Sequence, residues 1–100
     1  MSNPVEYSEK QLQMASIAKA LSHPARVLII EKLAKMNACC YSGDLVEELP
    51  IGRSALSMHL KELKHAGLIQ STTEPPFIKY CLNRTNFLIA KKLYEELFSE

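Results

Sequence analysis

The sequence lacks the features that mark membrane, secreted and disulfide-rich proteins. No apolar run reaches about 18 residues, so no segment is expected to span a bilayer. The first ten residues, MSNPVEYSEK, carry acids and no apolar signal core, which argues against secretion. Three cysteines, two of them adjacent, do not make a disulfide framework. We therefore expect a protein of the reducing cytoplasm.

The sequence also lacks the motifs of catalysis. It has no glycine-rich phosphate loop and no three-ligand set for a catalytic metal. Ser54 or Ser57 with His59 on one helix is not a catalytic triad. No cofactor is predicted, and the protein is not expected to be an enzyme.

Positive charge, by contrast, is concentrated in one stretch. The chain as a whole has a formal net charge of +1, but residues 51–92 carry seven basic residues against two acidic ones. The basic residues are Arg53, Lys61, Lys64, Lys79, Arg84, Lys91 and Lys92. This asymmetry suits a polyanionic partner on one surface, although a charged run is more often a solvated face.

Hydrophobic periodicity and helix breakers predict one mainly helical domain over residues 1–100. Ser8 should cap the first helix with Gln11 as its capping-box partner, and His23 should cap or pack before Pro24. Gly67 should end the fourth helix. The predicted helices are 9–21, 24–36, 43–49, 53–66 and 84–98, and the predicted strands are 68–73 and 77–82.

The remaining segments are predicted from their turn chemistry. Residues 1–7 are expected to fray, and residues 37–42 should be irregular or extended. Ser42 is expected to cap the third helix. The two strands should form a hairpin whose turn is stiffened by Pro75 and Pro76, a pair compatible with a cis bond.

The third and fourth predicted helices, joined by the turn 50–52, have the spacing of a helix-turn-helix. In that unit the second helix enters the major groove of DNA and offers its N-terminal side chains to base edges. An isolated stretch of this kind would be interpreted as an ordinary surface helix, but a hairpin directly after it favours a winged helix-turn-helix. We expect base contacts from Arg53, Ser54, Ser57, Met58 and His59. Phosphate contacts are expected from Lys61, Lys64 and Lys79.

With these elements in place, the chain resembles the ArsR family of bacterial winged-helix repressors over about residues 11–98. The matching stretches are ALSHPARVLIIEKL (20–33), GDLVEEL (43–49), SALSMHLKELKHAGLI (54–69) and KYCL (79–82). The resemblance implies a homodimer, held by the first and last helices, that binds an imperfect palindrome in double-stranded DNA and represses its own operon. The apolar residues expected at that dimer interface are Met14, Ile17, Leu21, Ile89, Leu93, Tyr94 and Leu97.

Metal sensing, which many members of that family perform, is not expected here. One recurrent family site is a Cys-x-Cys-Asp-Leu segment, which aligns with YSGDL at 41–45 and so loses both thiolates. The other is an Asp-x-His pair that opens the last helix and aligns with Arg84, Thr85 and Asn86; Leu97 falls where a later His would be. A guanidinium and a leucine do not bind zinc.

The cysteines and the wing leave alternatives open. We interpret Cys39, Cys40 and Cys81 as small buried apolar residues, and adjacent side chains in an extended segment should not share one metal or one bridge. The alternative is a repressor that responds to thiol oxidation, or to an unknown small-molecule inducer. A different class of function is also open, because the wing offers only Lys79 beside Glu74: a winged helix that binds a partner protein rather than DNA.

Overall fold

The computed structural model describes residues 6–36 and 39–99, and this part of the chain folds into five helices and a small antiparallel sheet. The helices are α1 (Glu9–Ala20), α2 (Pro24–Lys35), α3 (Ser42–Glu48), α4 (Arg53–His65) and α5 (Arg84–Phe98). The strands are β1 (Cys40–Tyr41), β2 (Ile69–Glu74) and β3 (Phe77–Leu82). Every predicted helix and both predicted strands are confirmed, with boundaries within one residue. The predicted fraying of residues 1–7 concerns mostly residues outside the described part.

Two of the three predicted helix caps are confirmed. The Ser8 hydroxyl accepts from the Gln11 backbone N–H, and the Gln11 side chain accepts from the Ser8 N–H. The His23 Nδ1 accepts from the Ala25 N–H. The prediction that Ser42 caps α3 is wrong: Tyr41 is the N-cap and makes no side-chain cap bond. Because Tyr41 ends β1 in extended conformation, Ser42 already belongs to the first helical turn.

The sheet has three strands in the order β1-β3-β2, so the predicted two-stranded hairpin is one strand short. β1 pairs antiparallel with β3, with Cys40 opposite Tyr80 and Tyr41 opposite Lys79. The hairpin pairing runs from Ile69–Leu82 to Glu74–Phe77, and the Pro75-Pro76 bond in its turn is cis. Of the segment predicted to be irregular or extended, residues 37 and 38 lie outside the described residues.

A single hydrophobic core joins all the helices and the base of the sheet. The side chains that are most completely buried come from α2, α3, α4 and β2, and they are Ile29, Leu33, Leu45, Leu56, Leu60, Leu63 and Ile69. At about 1.5–3 kcal/mol for each large aliphatic side chain, this cluster supplies much of the driving force for folding. Within the described ranges, no helix is both long enough and apolar enough to cross a membrane.

Hydrogen bonds connect the turn that follows α4 to the start of α5. Gly67, with a φ of 82°, turns the chain from α4 into β2, and its carbonyl accepts from the Asn86 side chain at 2.8 Å. The Asn83 N–H donates to the Leu68 carbonyl at 2.9 Å. Asn83 also caps α5 by accepting from the Asn86 N–H. The end of α4 and the start of α5 are therefore held together by backbone and amide groups.

Helix α1 packs along α5 within the same chain. The Tyr94 hydroxyl donates to the Met14 carbonyl. Lys10 Nζ lies 3.5 Å from Glu96 Oε1, between the first turn of α1 and the last turns of α5. The family resemblance assigns these two helices to dimerisation. Within a single chain they already pack together as one layer.

Candidate nucleic-acid interface

Helix α4 has one face in the core and one face turned outward. Leu56, Leu60 and Leu63, spaced by three and four residues, are at most 2% exposed. On the other side the same spacing produces an exposed stripe of Ser54, Met58, Lys61 and His65. The leucines therefore fix the rotation of the helix and determine which polar residues face away from the molecule.

The first turn of α4 borders a cleft between α3 and the sheet. Arg53 and Ser57, both exposed, line this cleft of about 200 Å³, and its far wall includes Ser42, Ile78 and Tyr80. The start of α4 is thus flanked by α3 on one side and by β3 on the other. Of the five residues predicted to read bases, the structure brings Arg53, Ser54, Ser57 and Met58 to the surface together.

The prediction that His59 reads bases is wrong, because His59 is only 3% exposed. The Arg26 Nε donates to the His59 Nδ1 at 3.0 Å, and the His59 ring lies 4.4 Å from the ring of His23. The sequence did carry the signal: His59 follows Leu56 by three residues and precedes Leu63 by four, which places it on the apolar face. Arg26, which joins α2 to α4, had no sequence signal of its own because its partner is 33 residues away.

The environment of His59 favours the neutral imidazole. Burial lowers the pKa of His59 below its ordinary value of 6.5, and the nearby His23 and Arg26 lower it further. A neutral ring can keep Nδ1 as an acceptor for the Arg26 guanidinium, whereas a protonated ring would oppose donor to donor. His59 therefore forms a structural contact between α4 and α2, beneath the outward face of α4, which we call the joint.

The cations of α4 are not neutralised by neighbouring carboxylates. The ion pairs between residues that the structure describes are Lys10–Glu96, Lys32–Glu48 and Lys79–Glu74, and none of them involves Arg53, Lys61 or Lys64. Lys61 and Lys64 are exposed, as their predicted role requires. The outward side of α4 is consequently a local patch of positive charge.

Lys79 of β3 is in a different situation, since its charge is already paired. Lys79 Nζ lies 2.8 Å from Glu74 Oε2, and the Tyr41 hydroxyl donates to Glu74 Oε1 at 2.9 Å. The hydrogen bonds from Lys79 and then from Tyr41 lower the pKa of Glu74, and the Glu74 carboxylate raises the pKa of Lys79. The tip of the hairpin instead exposes Phe77, whose ring meets the Tyr41 ring edge-on at 5.7 Å.

The residues predicted for a dimer interface divide into three groups. Ile17 and Leu93 are buried in the core of the single chain, so the prediction that they form an intermolecular surface is wrong. Met14, Leu21 and Tyr94 are half-buried against that core. Ile89 and Leu97 are exposed. Sequence reasoning missed three further exposed apolar residues on the same two helices: Leu12, Leu88 and Phe98.

The cysteines depart from the expectation of three small buried apolar residues. Only Cys40 fits it, as a free thiol that is 6% exposed. Cys39 and Cys81 are half-buried and joined by a disulfide, with their Cα atoms 4.4 Å apart. Cys39 is thus bridged to Cys81 and not to its neighbour Cys40. Across residues 6–36 and 39–99, no group of three or more His, Cys, Asp or Glu side chains is arranged to hold a metal ion.

A short turn between α3 and α4, followed by a hairpin that packs beside α4, defines a winged helix-turn-helix protein. Residues 23–71 match the family model described as "Bacterial regulatory protein, arsR family". The chain is 35% identical over 72 residues to the transcriptional repressor SdpR of Bacillus subtilis, which covers 72% of this chain and 78% of SdpR. It is 34% identical over 80 residues to the HTH-type transcriptional regulator YgaV of Escherichia coli, which covers 78% of this chain and 80% of YgaV. The chain belongs to the ArsR family.

Other similarities agree with this assignment. The HTH-type transcriptional regulator CmtR of Mycobacterium tuberculosis is 33% identical over 73 residues, which cover 73% of this chain but only 60% of CmtR. An ArsR-like transcriptional regulator from Rhodococcus sp. RHA1 superposes with a TM-score of 0.77 at 26% identity, over 90% of this chain and 83% of that one. HlyU from Vibrio cholerae shares the fold, with a TM-score of 0.73 at 24% identity over 94% of this chain and all of HlyU.

Proposed function

We propose that this protein is a cytoplasmic, DNA-binding transcriptional repressor that acts as a homodimer on a palindromic operator. The observation that carries the proposal is the outward face of α4: an unpaired basic patch on a helix whose rotation is fixed by three buried leucines. A major groove about 12 Å wide admits one such helix. The similarity to SdpR, a transcriptional repressor, supports the direction of regulation.

The exposed residues suit distinct roles on the duplex. Arg53, at the first turn, would donate two hydrogen bonds to a guanine edge, and Ser54 and Ser57 are short enough to let the helix approach the bases. Met58 would contact a thymine methyl group. Phosphate contacts are assigned to Lys61 and Lys64, while Lys79 would contribute little because Glu74 already neutralises it. No inducer is identified by these residues.

Replacing Arg53 with alanine tests the assignment of base contacts. Arg53→Ala should weaken binding to a selected operator by about 1–3 kcal/mol, because a bidentate contact to one base pair is lost. Binding to unrelated duplexes should change much less. The measurement is a gel-shift titration on fragments selected from the source genome, and an operator affinity equal to that of the unaltered protein would exclude this role for Arg53.

Lys64→Ala is the matched comparison, since it removes one positive charge from the same helix without removing a base contact. It should lower affinity for all sequences alike and reduce the salt slope of binding by about 1. A salt slope that stays the same in Lys64→Ala would place Lys64 away from the phosphate backbone.

A second function is favoured by one observation: the hairpin tip is charge-neutral and exposes Phe77. Such a tip would suit a winged helix that binds a partner protein. Retention on heparin or on generic duplex DNA at low salt separates the two functions. A chain that is not retained on either matrix would favour the partner-binding module.

A further inference from the structure

The Cys39–Cys81 pair lies in a regular position of the sheet that the proposed DNA interface does not use. Cys40 pairs with Tyr80 in the antiparallel ladder between β1 and β3, so the next position places Cys39 directly opposite Cys81. Their Cα separation of 4.4 Å matches a pair of directly opposed residues between ladder hydrogen bonds. The register of the ladder therefore places the two bridged sulfurs opposite each other.

The Cys39–Cys81 bridge closes a loop that contains the whole candidate DNA-binding unit, which we call the reading unit. Cys39 and Cys81 are 42 residues apart, and the closed loop contains β1, α3, α4, β2 and nearly all of β3. A covalent link of this kind removes conformational freedom from the loop that it closes. Here that loop carries every residue to which we assign a DNA contact.

The surroundings distinguish this pair from the third cysteine. Cys39 and Cys81 line an open cavity of about 320 Å³ that Arg84 also lines, with its guanidinium donating to the Met36 carbonyl. Cys40 instead lies in the core with its Sγ directed at the Tyr41 carbonyl. Burial, followed by Glu48 and Asp44, raises the pKa of Cys40, so its thiol stays protonated and unreactive.

We propose that Cys39 and Cys81 form a reversible dithiol–disulfide site whose oxidant is a low-molecular-weight disulfide, and that the closed bridge strengthens operator binding. One thiolate attacks the small disulfide RSSR, forming a mixed disulfide and releasing RS⁻. The second thiolate then attacks the mixed disulfide, closing the Cys39–Cys81 bond and releasing the second RS⁻. Two electrons pass from the protein sulfurs to RSSR, and the two thiol protons end on two molecules of RSH.

The regulatory part rests on the proposed function, and its direction follows from the position of β1. β1 is only two residues long, so the adjoining bridge is a major constraint that keeps it on β3. α3 begins directly after β1, and opening the bridge would let α3 and the wing move relative to α4. The reading unit would then be less preorganised, and operator affinity should fall about threefold or more on reduction.

The chemistry is tested on the full chain, equilibrated in glutathione buffers of increasing oxidised fraction. Acid quenching, alkylation of free thiols and peptide mass spectrometry report the bonds. The expected result is one intrachain Cys39–Cys81 bridge that opens in reduced glutathione, with Cys40 alkylated only after unfolding. A stable mixed disulfide, a bridge through Cys40, or a bridge that persists in excess reduced glutathione would overturn the proposal.

The regulation is tested by fluorescence anisotropy with a duplex that covers the region upstream of the protein's own gene. Redox-dependent affinity is expected in the unaltered protein and in Cys40→Ala, and should be absent in Cys39→Ser and Cys81→Ser, with circular dichroism verifying that each variant is folded. A bridge that forms without changing affinity overturns the regulatory role alone. If no form binds any duplex, the proposed function fails, while the alkylation result still decides whether the site exists.

Discussion

At the scale of single residues, His59 shows how a side chain on the helix proposed to read DNA can serve the fold alone. Its Nδ1 accepts from Arg26 of α2, and its ring contacts His23 at the N-terminus of the same helix. The joint holds α4 at a fixed distance from α2. Since only the neutral ring can accept this bond, the joint is sensitive to acid.

As the pH is lowered below about 6.5, the free energy of unfolding should therefore decrease, and part of the decrease should depend on His59. The folded pKa of His59 is lowered, so the unfolded chain takes up the proton first as the pH falls, and protonation favours the unfolded state. The loss begins near the ordinary histidine value and is complete below the folded pKa. Urea titrations at about pH 7.5 and 5.5 measure it.

His59→Gln is the matched control for this prediction, because glutamine retains an acceptor but does not titrate in this range. The variant should lose less stability between the two pH values than the unaltered protein does. Equal losses in both proteins would mean that other groups account for the whole pH dependence.

Gly67 is the residue at which backbone conformation matters most. Its φ of 82° is unfavourable for other residues, and an added Cβ would lie 3.1 Å from the Asn86 Nδ2. Gly67→Ala should therefore cost about 1–2 kcal/mol of stability. Gly43→Ala is the control: nothing lies within 4 Å of its Cβ position in α3, so this change should stabilise by about 0.5–1 kcal/mol. Chemical denaturation of both variants checks the opposite signs.

At the scale of elements, the sequence predicted the features that depend on the chemistry of neighbouring residues. The caps at Ser8 and His23, the break at Pro24 and the leucine spacing of α4 located the helices to within one residue. Residues 37–42 were predicted to be irregular or extended, but the pairing of β1 was missed because a two-residue strand exists only through its contact with β3, about 40 positions away. The Cys39–Cys81 contact was missed for the same reason, since it follows from the register of that pairing.

In the wing, the lysine that was predicted to contact phosphate does not present a free charge. Lys79 is the wing's basic residue, and Glu74 holds it in an ion pair that Tyr41 supports. Glu74→Gln should release that charge. Non-specific DNA binding should then strengthen, and its salt slope should become steeper by about 1, as measured by anisotropy over a range of salt concentrations.

Glu31→Gln changes the net charge by the same amount from an exposed position on α2 and serves as the control. A wing-specific effect requires that Glu74→Gln exceed Glu31→Gln at every salt concentration. If the two variants behave alike, the gain reflects overall charge, and the wing does not approach the duplex.

At the scale of the whole molecule, the exposed apolar side chains of α1 and α5 have no covering within the single chain. Leu88, Leu97 and Phe98 are 61%, 53% and 75% exposed. Burying such side chains against a second copy would contribute about 1.5–3 kcal/mol for each one fully covered. The free chain should accordingly be a dimer at micromolar concentration.

Sedimentation equilibrium tests this with two charge substitutions at similarly exposed apolar positions. Leu97→Glu on α5 should shift the protein toward monomer and weaken operator binding. Met58→Glu on α4, at 53% exposure, should leave the mass unchanged. A monomeric mass for the unaltered protein would remove the two-fold arrangement from the proposed function.

The corner where Asn83 and Asn86 hold the end of α4 to the start of α5 has a geometric consequence for such a dimer. Three hydrogen bonds, from Asn83 to Leu68, from Asn86 to Gly67 and within the α5 cap, restrain this junction against hinging. The orientation of α5 relative to α4 is therefore held by this corner. The span between two copies of α4, and with it the number of base pairs separating the operator half-sites, would be set by amides that never touch the DNA.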